Sequence, residues 1–382
     1  WFFIVASEVI NVGNESIILD GIGSYIALSL TEENTNATLM AVVVMSLIII
    51  LYDQLIMRPL VVWSDRFVYD MSGEVGVKNT SWALNFYSRS HLCNQISIYF
   101  NGLISKIIYT RILTAPRVVN ISNLNGSQNH KFKYIQFTYN ILFNLLFIYI
   151  AVYISIKLVG FIDAAVDFTE VLYVLMLATI TWFKIMVLVM LASIVWVPLG
   201  VYMGLNPKIA GIIQLLTQFL AAFPINLLFP FVYLVITKYN LNPNIWLSPL
   251  MIVGTQWYIL FNVVGAANSI SLGLRDVAKL HKIKGFVWWK EYVMPAILPY
   301  YITGAITAYG ASWNASIVSE VVTYGNHKVE CLGIGAYIAD MTNKGDFARI
   351  ALGILVMAIF VVIFNKLFWQ KLYDYAAKKC NI

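Results

Sequence analysis

The sequence has few charged residues: Lys, Arg, Asp and Glu make up 12% of its 382 residues, whereas hydrophobic residues make up 60%. A soluble domain usually carries about 25% charged residues. Cysteine is also scarce, with Cys93, Cys331 and Cys380 scattered and no CxxC pair. This spacing argues against a disulfide framework and against a metal site. The motif GxxxxGK[ST] is missing as well, so we do not expect the chain to bind ATP through a P-loop.

Long apolar runs account for the low charge, for example those at 143–162 and 350–364. About 20 consecutive apolar residues suffice to cross the roughly 30 Å hydrocarbon core of a bilayer. Because such runs recur along the chain, they indicate membrane spans rather than a signal peptide. The predicted fold class is all-α, a polytopic helical membrane protein, with candidate spans at 37–57, 134–158, 172–200, 209–237, 246–268, 292–316 and 348–369.

Charge is distributed unevenly between the segments that join these spans. The segment 58–133 carries nine basic and three acidic residues, 269–291 is mainly basic, and 159–171 contains acidic charges only. Basic loops of membrane proteins lie on the cytoplasmic side. We therefore expect a cytoplasmic linker at 61–133, a cytoplasmic loop at 269–291 and a cytoplasmic C-terminus. The net charge of +6 then reflects topology and gives no reason to expect nucleic-acid binding. Within the linker, residues 82–113 predict either an amphipathic helix on the membrane surface or a packed helix of a soluble linker.

The N-terminal residues recur near the C-terminus. Residues 1–27 align without gaps on 313–339, an offset of 312 residues, and 12 of the 27 positions are identical. The same register pairs the first predicted span with the last. Such a repeat indicates duplication. We interpret residues 1–60 as the C-terminal remnant of a first membrane domain whose earlier spans are missing from this chain, and residues 134–382 as a complete six-span second copy.

The loop at 269–291 contains a short amphipathic segment. Its apolar residues recur at roughly helical spacing, and its charged residues are expected to face outward, where they suit docking on a soluble partner. On composition alone, an ordinary basic loop is the simpler interpretation. The candidate docking residues are Arg275, Asp276, Val277, Ala278, Lys279, Lys282, Gly285 and Pro295.

This loop resembles the EAA loop of binding-protein-dependent ABC importer permeases, in which E-A-A is followed by a Gly and then by I-x-L-P. Residues 276–278, Asp-Val-Ala, stand at the E-A-A positions, and Met294-Pro295 stands at L-P. Lys282 occupies the place of the usual Gly, so a bend that Gly supports would have to form differently. GTQWYILFNVV at 254–264 and GIGAYIA at 333–339 are similar to the nitrate, sulfonate and taurine branch of these permeases.

The resemblance implies the transmembrane-domain fold of type I ABC importers, with residues 272–286 as a coupling helix that inserts into a cleft of an ATPase subunit. It implies ABC ATPase subunits and an extracellular or periplasmic solute-binding protein as partners, and the lipid of the plasma (inner) membrane as surroundings. ATP and Mg²⁺ would bind to the ATPase, and this chain would bind no cofactor. Some members fuse two copies, so the repeat would form a pseudo-dimer. The cargo would be a small anion such as nitrate, a sulfonate, taurine or bicarbonate.

A second set of candidates concerns the substrate path or a gate in it. Glu8 and Glu320 lie at equivalent places in apolar sequence, and an ionisable residue inside a membrane is a functional candidate. At a helix end, however, such a residue also reaches interfacial water or caps a neighbouring helix. Lys184 either attracts an anion or extends to the interface. The candidates are Trp1, Glu8, Lys184, Trp313, Asn314, Glu320, Gly333 and Gly335.

A secondary transporter or channel that works without an ATPase is the alternative interpretation, and it would need no coupling loop. A membrane enzyme is not favoured, because the spans contain no paired carboxylates, His cluster or nucleophile with an adjacent base. We therefore predict a transport subunit without catalytic residues or metal ligands.

Overall fold

The computed structural model describes residues 8–12, 15–64, 81–89, 95, 126–206, 217–325 and 327–380. These residues fall into two compact units. One unit contains the described residues of 8–51 and 165–380, and the other contains those of 52–64 and 81–164. The second unit thus includes the helix that was expected to begin the second permease copy, and the predicted boundary at residue 134 stays a prediction.

The described elements between residues 9 and 205 comprise a hairpin, six α-helices and a π-helical turn. In chain order they are β1 (Val9–Val12), β2 (Glu15–Ile18), α1 (Ile22–Thr31), α2 (Thr35–Tyr52), a π-helical turn at Asp53–Met57, α3 (Arg58–Ser64), α4 (Trp82–Arg89), α5 (Gly126–Asp163) and α6 (Phe168–Leu205). Of the helix predicted within 82–113, the structure describes α4 and residue 95, and the rest lies outside the described residues.

The remaining elements end in a second hairpin followed by three helices. They are a 3₁₀ turn at Ile225–Leu228, α7 (Phe229–Lys238), α8 (Pro243–Trp246), α9 (Leu250–Val253), α10 (Trp257–Asn268), α11 (Leu272–Leu280), α12 (Gly285–Val287), a π-helical turn at Trp288–Val293, α13 (Met294–Ser319), β3 (Val321–Tyr324), β4 (His327–Glu330), α14 (Ile334–Lys344), α15 (Phe347–Phe364), a π-helical turn at Asn365–Trp369 and α16 (Gln370–Cys380).

Several helices can cross a membrane. Among the described residues, four helices are long and apolar enough, namely Thr35–Ser64, Tyr139–Asp163, Phe168–Leu205 and Phe347–Lys378. The segment α8–α9 and helix α10 meet at a bend of 43° and add a fifth span if they are counted as one. The predicted all-α, polytopic membrane fold is thereby confirmed.

The two other predicted spans behave differently. The span predicted at 209–237 lies partly outside the described residues, and its described part breaks at Pro224 before the 3₁₀ turn and α7. The span predicted at 292–316 is one helix, α13. It is not among the four apolar helices, because its Tyr, Ser, Gly and Trp residues dilute the apolar ones.

α13 lies at the centre of the first unit and packs against α6, α10, α14 and α16. Ile297, Ile302 and Ala305 on this helix are fully buried. The close contact with α10 depends on Gly304, since a Cβ there would lie 2.7 Å from the carbonyl oxygen of Tyr258. Small residues allow helix backbones to approach in this way, so α10 and α13 are expected to move as one body.

The repeat in the sequence is also a repeat in the structure. Both hairpins are antiparallel, with Val9 opposite Ile18 in one and Val321 opposite Glu330 in the other, and each of these positions recurs after 312 residues. The starts of α1 and α14, of α2 and α15, and of the π-helical turns that follow them are separated by the same 312 residues. The N-terminal elements therefore reproduce the C-terminal series of hairpin, short helix, long helix and π-helical turn.

Within the first unit the two copies of this series pack against each other reciprocally. α1 packs against β3, and α14 packs against β1. The backbone N–H of Gly325, in the turn of the second hairpin, donates to the carbonyl oxygen of Leu30 at 2.9 Å. Ile26 and Met45 are buried in an apolar cluster with Leu227. The N-terminal copy thus contacts the second hairpin through a hydrogen bond and the 3₁₀ turn through an apolar cluster.

Candidate functional site

Glu320 lies where α13 ends and the second hairpin begins. The hairpin returns the chain to the same place, because the backbone N–H of Cys331 donates to the carbonyl oxygen of Glu320 at 3.0 Å. The next helix, α14, therefore starts beside the Glu320 side chain, and the N–H of Ala336 in its first turn donates to Oε2 at 3.0 Å. The first N–H groups of a helix have no intrahelical partners and attract negative charge. Glu320 satisfies this helix terminus from a distant position in the chain.

Two glycines leave room for this carboxylate. A Cβ on Gly333 would lie 2.0 Å from Oε1 of Glu320, and a Cβ on Gly335 would lie 2.3 Å from the carbonyl oxygen of Ser316. Real Cβ atoms do not make contacts this short. A side chain at 335 would meet backbone and therefore requires a shift of α14 or α13, whereas a side chain at 333 would displace the carboxylate of Glu320. This explains the Gly-Ile-Gly pattern that the sequence shows twice.

A hydroxyl and an ammonium group from α6 complete the site. Thr181 Oγ1 donates to Oε1 of Glu320 at 2.8 Å and accepts from the N–H of Ile334 at 3.0 Å. Lys184 Nζ lies 3.8 Å from the same Oε1 and donates to the carbonyl oxygen of Leu332 at 2.6 Å. The Glu320 side chain is 0% exposed, and a buried carboxylate requires such partners. The structure thus brings together Glu320 and Lys184 and adds Thr181, which sequence reasoning missed.

Glu8 occupies the equivalent place before the first hairpin. Its Oε2 accepts from the N–H groups of Gly23 and Ser24 in the first turn of α1. Its carbonyl oxygen accepts from the N–H of Leu19 at 2.9 Å, and a Cβ on Gly21 would lie 2.2 Å from Oε2. The first hairpin therefore repeats the contact between a carboxylate and a helix N-terminus.

The remaining path candidates are Trp313 and Asn314, both on α13, and Trp1. Trp313 is 1% exposed and packs its ring against Tyr309 and Phe360, whereas Asn314 on the same helix is exposed. Trp1 lies outside the described residues. A role of these residues in a substrate path or gate stays a prediction.

A cavity of about 540 Å³ opens beside the site, and it is lined in part by Glu170, Glu330 and Asp340. These carboxylates have basic partners. Arg349 binds Glu170 with two N–H groups, at 2.7 and 3.0 Å. The bond from Lys344 lowers the pKa of Asp340, and the bond to Glu330 raises the pKa of Lys328. The acidic lining is therefore largely neutralised by ion pairs.

The predicted docking loop forms α11, an exposed helix. Ser271 caps it, since its Oγ accepts from the N–H of Leu274 at 3.4 Å. Leu274, Val277 and Leu280 are exposed, and Leu280 keeps 80% of its accessible surface, whereas Ala278 is buried. Asp276 and Lys279 form an exposed ion pair at 3.5 Å. The helix thus presents an apolar strip, flanked by charges, that is not covered by the described residues.

Two residues of this loop differ from expectation. Arg275 was expected to face outward, but its Nη2 donates to the carbonyl oxygens of Ala267 and Asn268, at 3.1 and 3.3 Å, where α10 ends. A cation is favourable there, because the last carbonyls of a helix carry partial negative charge. Lys282 was expected to force a different bend, yet it adopts the left-handed conformation itself, with φ of 50°.

The bend after α11 is a Schellman motif, the common helix end in which glycine is usual. The N–H of Ile283 donates to the carbonyl oxygen of Ala278, and that of Lys282 to Lys279, both at 3.0 Å. Gly285, with φ of 65°, begins α12, and Pro295 lies in the first turn of α13. The loop therefore has a defined shape despite the Lys at the Gly position.

Residues 196–374 match the family model described as the binding-protein-dependent transport system inner membrane component. The chain is 29% identical over 111 residues to the nitrate import permease protein NrtB of Leptolyngbya laminosa, which covers 29% of this chain and 38% of that protein. It is 28% identical over 160 residues to the bicarbonate transport system permease protein CmpB of Synechococcus elongatus, which covers 42% of this chain and 54% of that protein.

The chain thus spans between 38% and 54% of the length of these curated relatives. The matched residues 196–374 include α11, α13, the second hairpin and Glu320. The region that carries α11 and Glu320 is therefore similar to the membrane component of binding-protein-dependent transport systems, whereas Thr181, Lys184 and Glu8 lie outside the matched residues.

Proposed function

We propose that the chain is the permease part of an ATP-driven importer that moves a small anion, such as nitrate, bicarbonate, a sulfonate or taurine, inward across the plasma (inner) membrane. The observation that carries the proposal is α11, whose Leu274, Val277 and Leu280 are exposed within the family-matched region. An apolar strip on a basic loop suits insertion into a cleft of a partner. The similarity to a nitrate import permease and a bicarbonate transport permease supports the anion class.

A movement of α11 would be transmitted directly to the helices α10 and α13. Arg275 fastens α11 to the end of α10, and α10 packs closely on α13 at Gly304. α13 has 26 residues, about 39 Å at 1.5 Å per residue, and it ends at the Glu320 site. Closure of two ATPases on ATP would shift α11, and α10 with α13 would follow as a rigid body, which gives alternating access.

The remaining features fit a pseudo-symmetric permease. The two hairpin series would belong to two halves of one pseudo-dimer, with the linker 61–133 and the C-terminus in the cytoplasm. A solute-binding protein on the opposite side would deliver the anion, and the partner ATPases would bind and hydrolyse ATP.

Capture of the ATPase subunit tests the proposal. The full-length gene product, tagged and purified in mild detergent, should retain an ABC ATPase. Leu280→Glu should reduce the retained ATPase at least tenfold, because it places a charge at the most exposed residue of the apolar strip. Asp276→Arg should also weaken retention. Lys284→Gln, an exposed change in the same loop, serves as the control and should retain the ATPase. Equal retention by Leu280→Glu and Lys284→Gln would contradict the proposal.

A further inference from the structure

The two copies of the hairpin series are not equally complete. Glu320 has three kinds of partner. The N–H of Ala336 in α14 and the hydroxyl of Thr181 donate to it, and the ammonium group of Lys184 forms an ion pair with it at 3.8 Å. Glu8 has the N–H groups of α1. Among the residues that the structure describes, no side-chain hydroxyl or ammonium group pairs with Glu8, which remains partly exposed. The N-terminal copy thus has the carboxylate without the two side-chain partners.

The long helices of the two copies show the same difference. α6 packs along α15, with Glu170 paired to Arg349 near one end and Trp182 stacked on Phe364 at 4.2 Å further along. Leu352 and Val356 of α15 are each 4% exposed.

Their equivalents 312 residues earlier, on α2, are Met40 and Val44, which are 63% and 44% exposed. Ala41 and Met45, the next positions on α2, are buried. The exposed strip of α2 is therefore equivalent to a strip that is buried on α15, the helix that packs along α6 in the other copy.

We propose that a membrane helix of the same kind as α6, contributed by the same polypeptide, packs on α2 over Met40 and Val44 and offers Glu8 a hydroxyl donor and an ammonium counter-charge. This inference rests on the proposed function, in which one permease contains both copies. The equivalent groups on α6 belong to Thr181 and Lys184, three positions apart and hence on the same side of the helix. The partner helix should carry Thr or Ser followed three residues later by Lys.

The repeat itself supports this occupant over lipid. An apolar side of α2 would suit lipid chains equally well, but lipid chains have no donor for Glu8. A carboxylate in an apolar membrane segment is costly unless it is paired. The same polypeptide is the expected source, because the chain already holds both copies of the hairpin series.

Photocross-linking of the full-length gene product tests the packing. A benzoylphenylalanine placed at Met40 should cross-link to a peptide outside residues 1–382 that contains Thr or Ser three residues before Lys, and the mass of the denatured polypeptide should not rise. Lipid adducts, cross-links confined to residues 1–382 or attachment to a separate polypeptide would each overturn the inference.

Thermal stability in detergent supplies a second, independent readout. Glu8→Gln should lower the apparent melting temperature by as much as Glu320→Gln does, within a factor of two, because both carboxylates then have the same kinds of partner. Asp20→Asn, at an exposed acid nearby, should leave it unchanged. An effect of Glu8→Gln as small as that of Asp20→Asn would overturn the inference. Neither readout uses ATPase capture, so loss of the proposed function alone would leave these results unaffected.

Discussion

Gly335 lies so close to Ser316 that a Cβ on Gly335 would be 2.3 Å from the Ser316 carbonyl oxygen and 2.8 Å from Oε2 of Glu320. Gly335→Ala must therefore push α14 away from the end of α13. We expect a loss of about 3 kcal/mol in the free energy of unfolding, at the upper end of overpacking costs. Denaturant titration of the purified protein measures it.

Gly310→Ala is the matched control for this change, since a Cβ on Gly310 meets nothing within 4 Å. It lies within α13 and should stabilise the protein by about 1 kcal/mol through helix propensity. Equal effects of the two substitutions would contradict the close approach at Gly335.

The pair of Lys184 and Glu320 should behave as a coupled unit. Lys184→Met leaves the fully buried Glu320 without its counter-charge, and we expect a loss of about 3 kcal/mol. Glu320→Gln should cost a similar amount, because Lys184 is then left unpaired. The double variant should lose clearly less than the sum of the two single variants. Lys366→Met, at an exposed position, is the control, and additive losses would show that the pair is not coupled.

Arg349 should not be replaceable by Lys. Its two N–H groups bind both oxygens of Glu170, and the hydroxyl of Tyr337 donates to the same carboxylate at 2.9 Å. Lys cannot form the two parallel bonds, so Arg349→Lys should lower stability by about 1 kcal/mol. Lys344→Met removes an exposed ion pair to Asp340 and should cost less than about 0.5 kcal/mol. Thermal unfolding of the two variants decides whether the Arg349 geometry matters.

The left-handed conformation of Lys282 predicts a gain on replacement by glycine. Lys282→Gly removes the steric cost of φ near 50°, and even after the entropy cost of glycine a local gain of about 0.5 kcal/mol remains. Hydrogen exchange of residues 279–283 should become slower. Lys279→Gly, within α11, should make the same amides exchange faster by removing helix propensity. Faster exchange in Lys282→Gly would contradict the Schellman geometry.

Much of the fold could be predicted from the sequence, because long apolar runs indicate membrane helices and matched residues indicate the repeat. The 12 identities between 1–27 and 313–339 anticipate two hairpins in the same register. A bent pair was not predicted within 246–268, since the sequence has no proline at the 43° break.

The contacts of the candidate sites were harder to predict from the sequence. Glu8 and Glu320 could be identified as unusual acids, but their partners are helix N-termini 15 to 16 residues away, and Thr181 is 139 residues from Glu320. Arg275 could not be assigned its inward direction, because that depends on where α10 ends. Contacts between residues so far apart in the chain depend on tertiary packing, which local sequence patterns do not show.

Uptake by proteoliposomes tests the central claim most directly. The full-length gene product, purified with its ATPase subunits and reconstituted with its binding protein on the uptake side, should accumulate labelled nitrate or bicarbonate only when ATP is present on the ATPase side. Leu280→Glu should abolish this accumulation, and Lys284→Gln should preserve it. Accumulation that continues without ATP, or that is unaffected by Leu280→Glu, would contradict an ATP-driven permease and indicate a secondary transporter or channel.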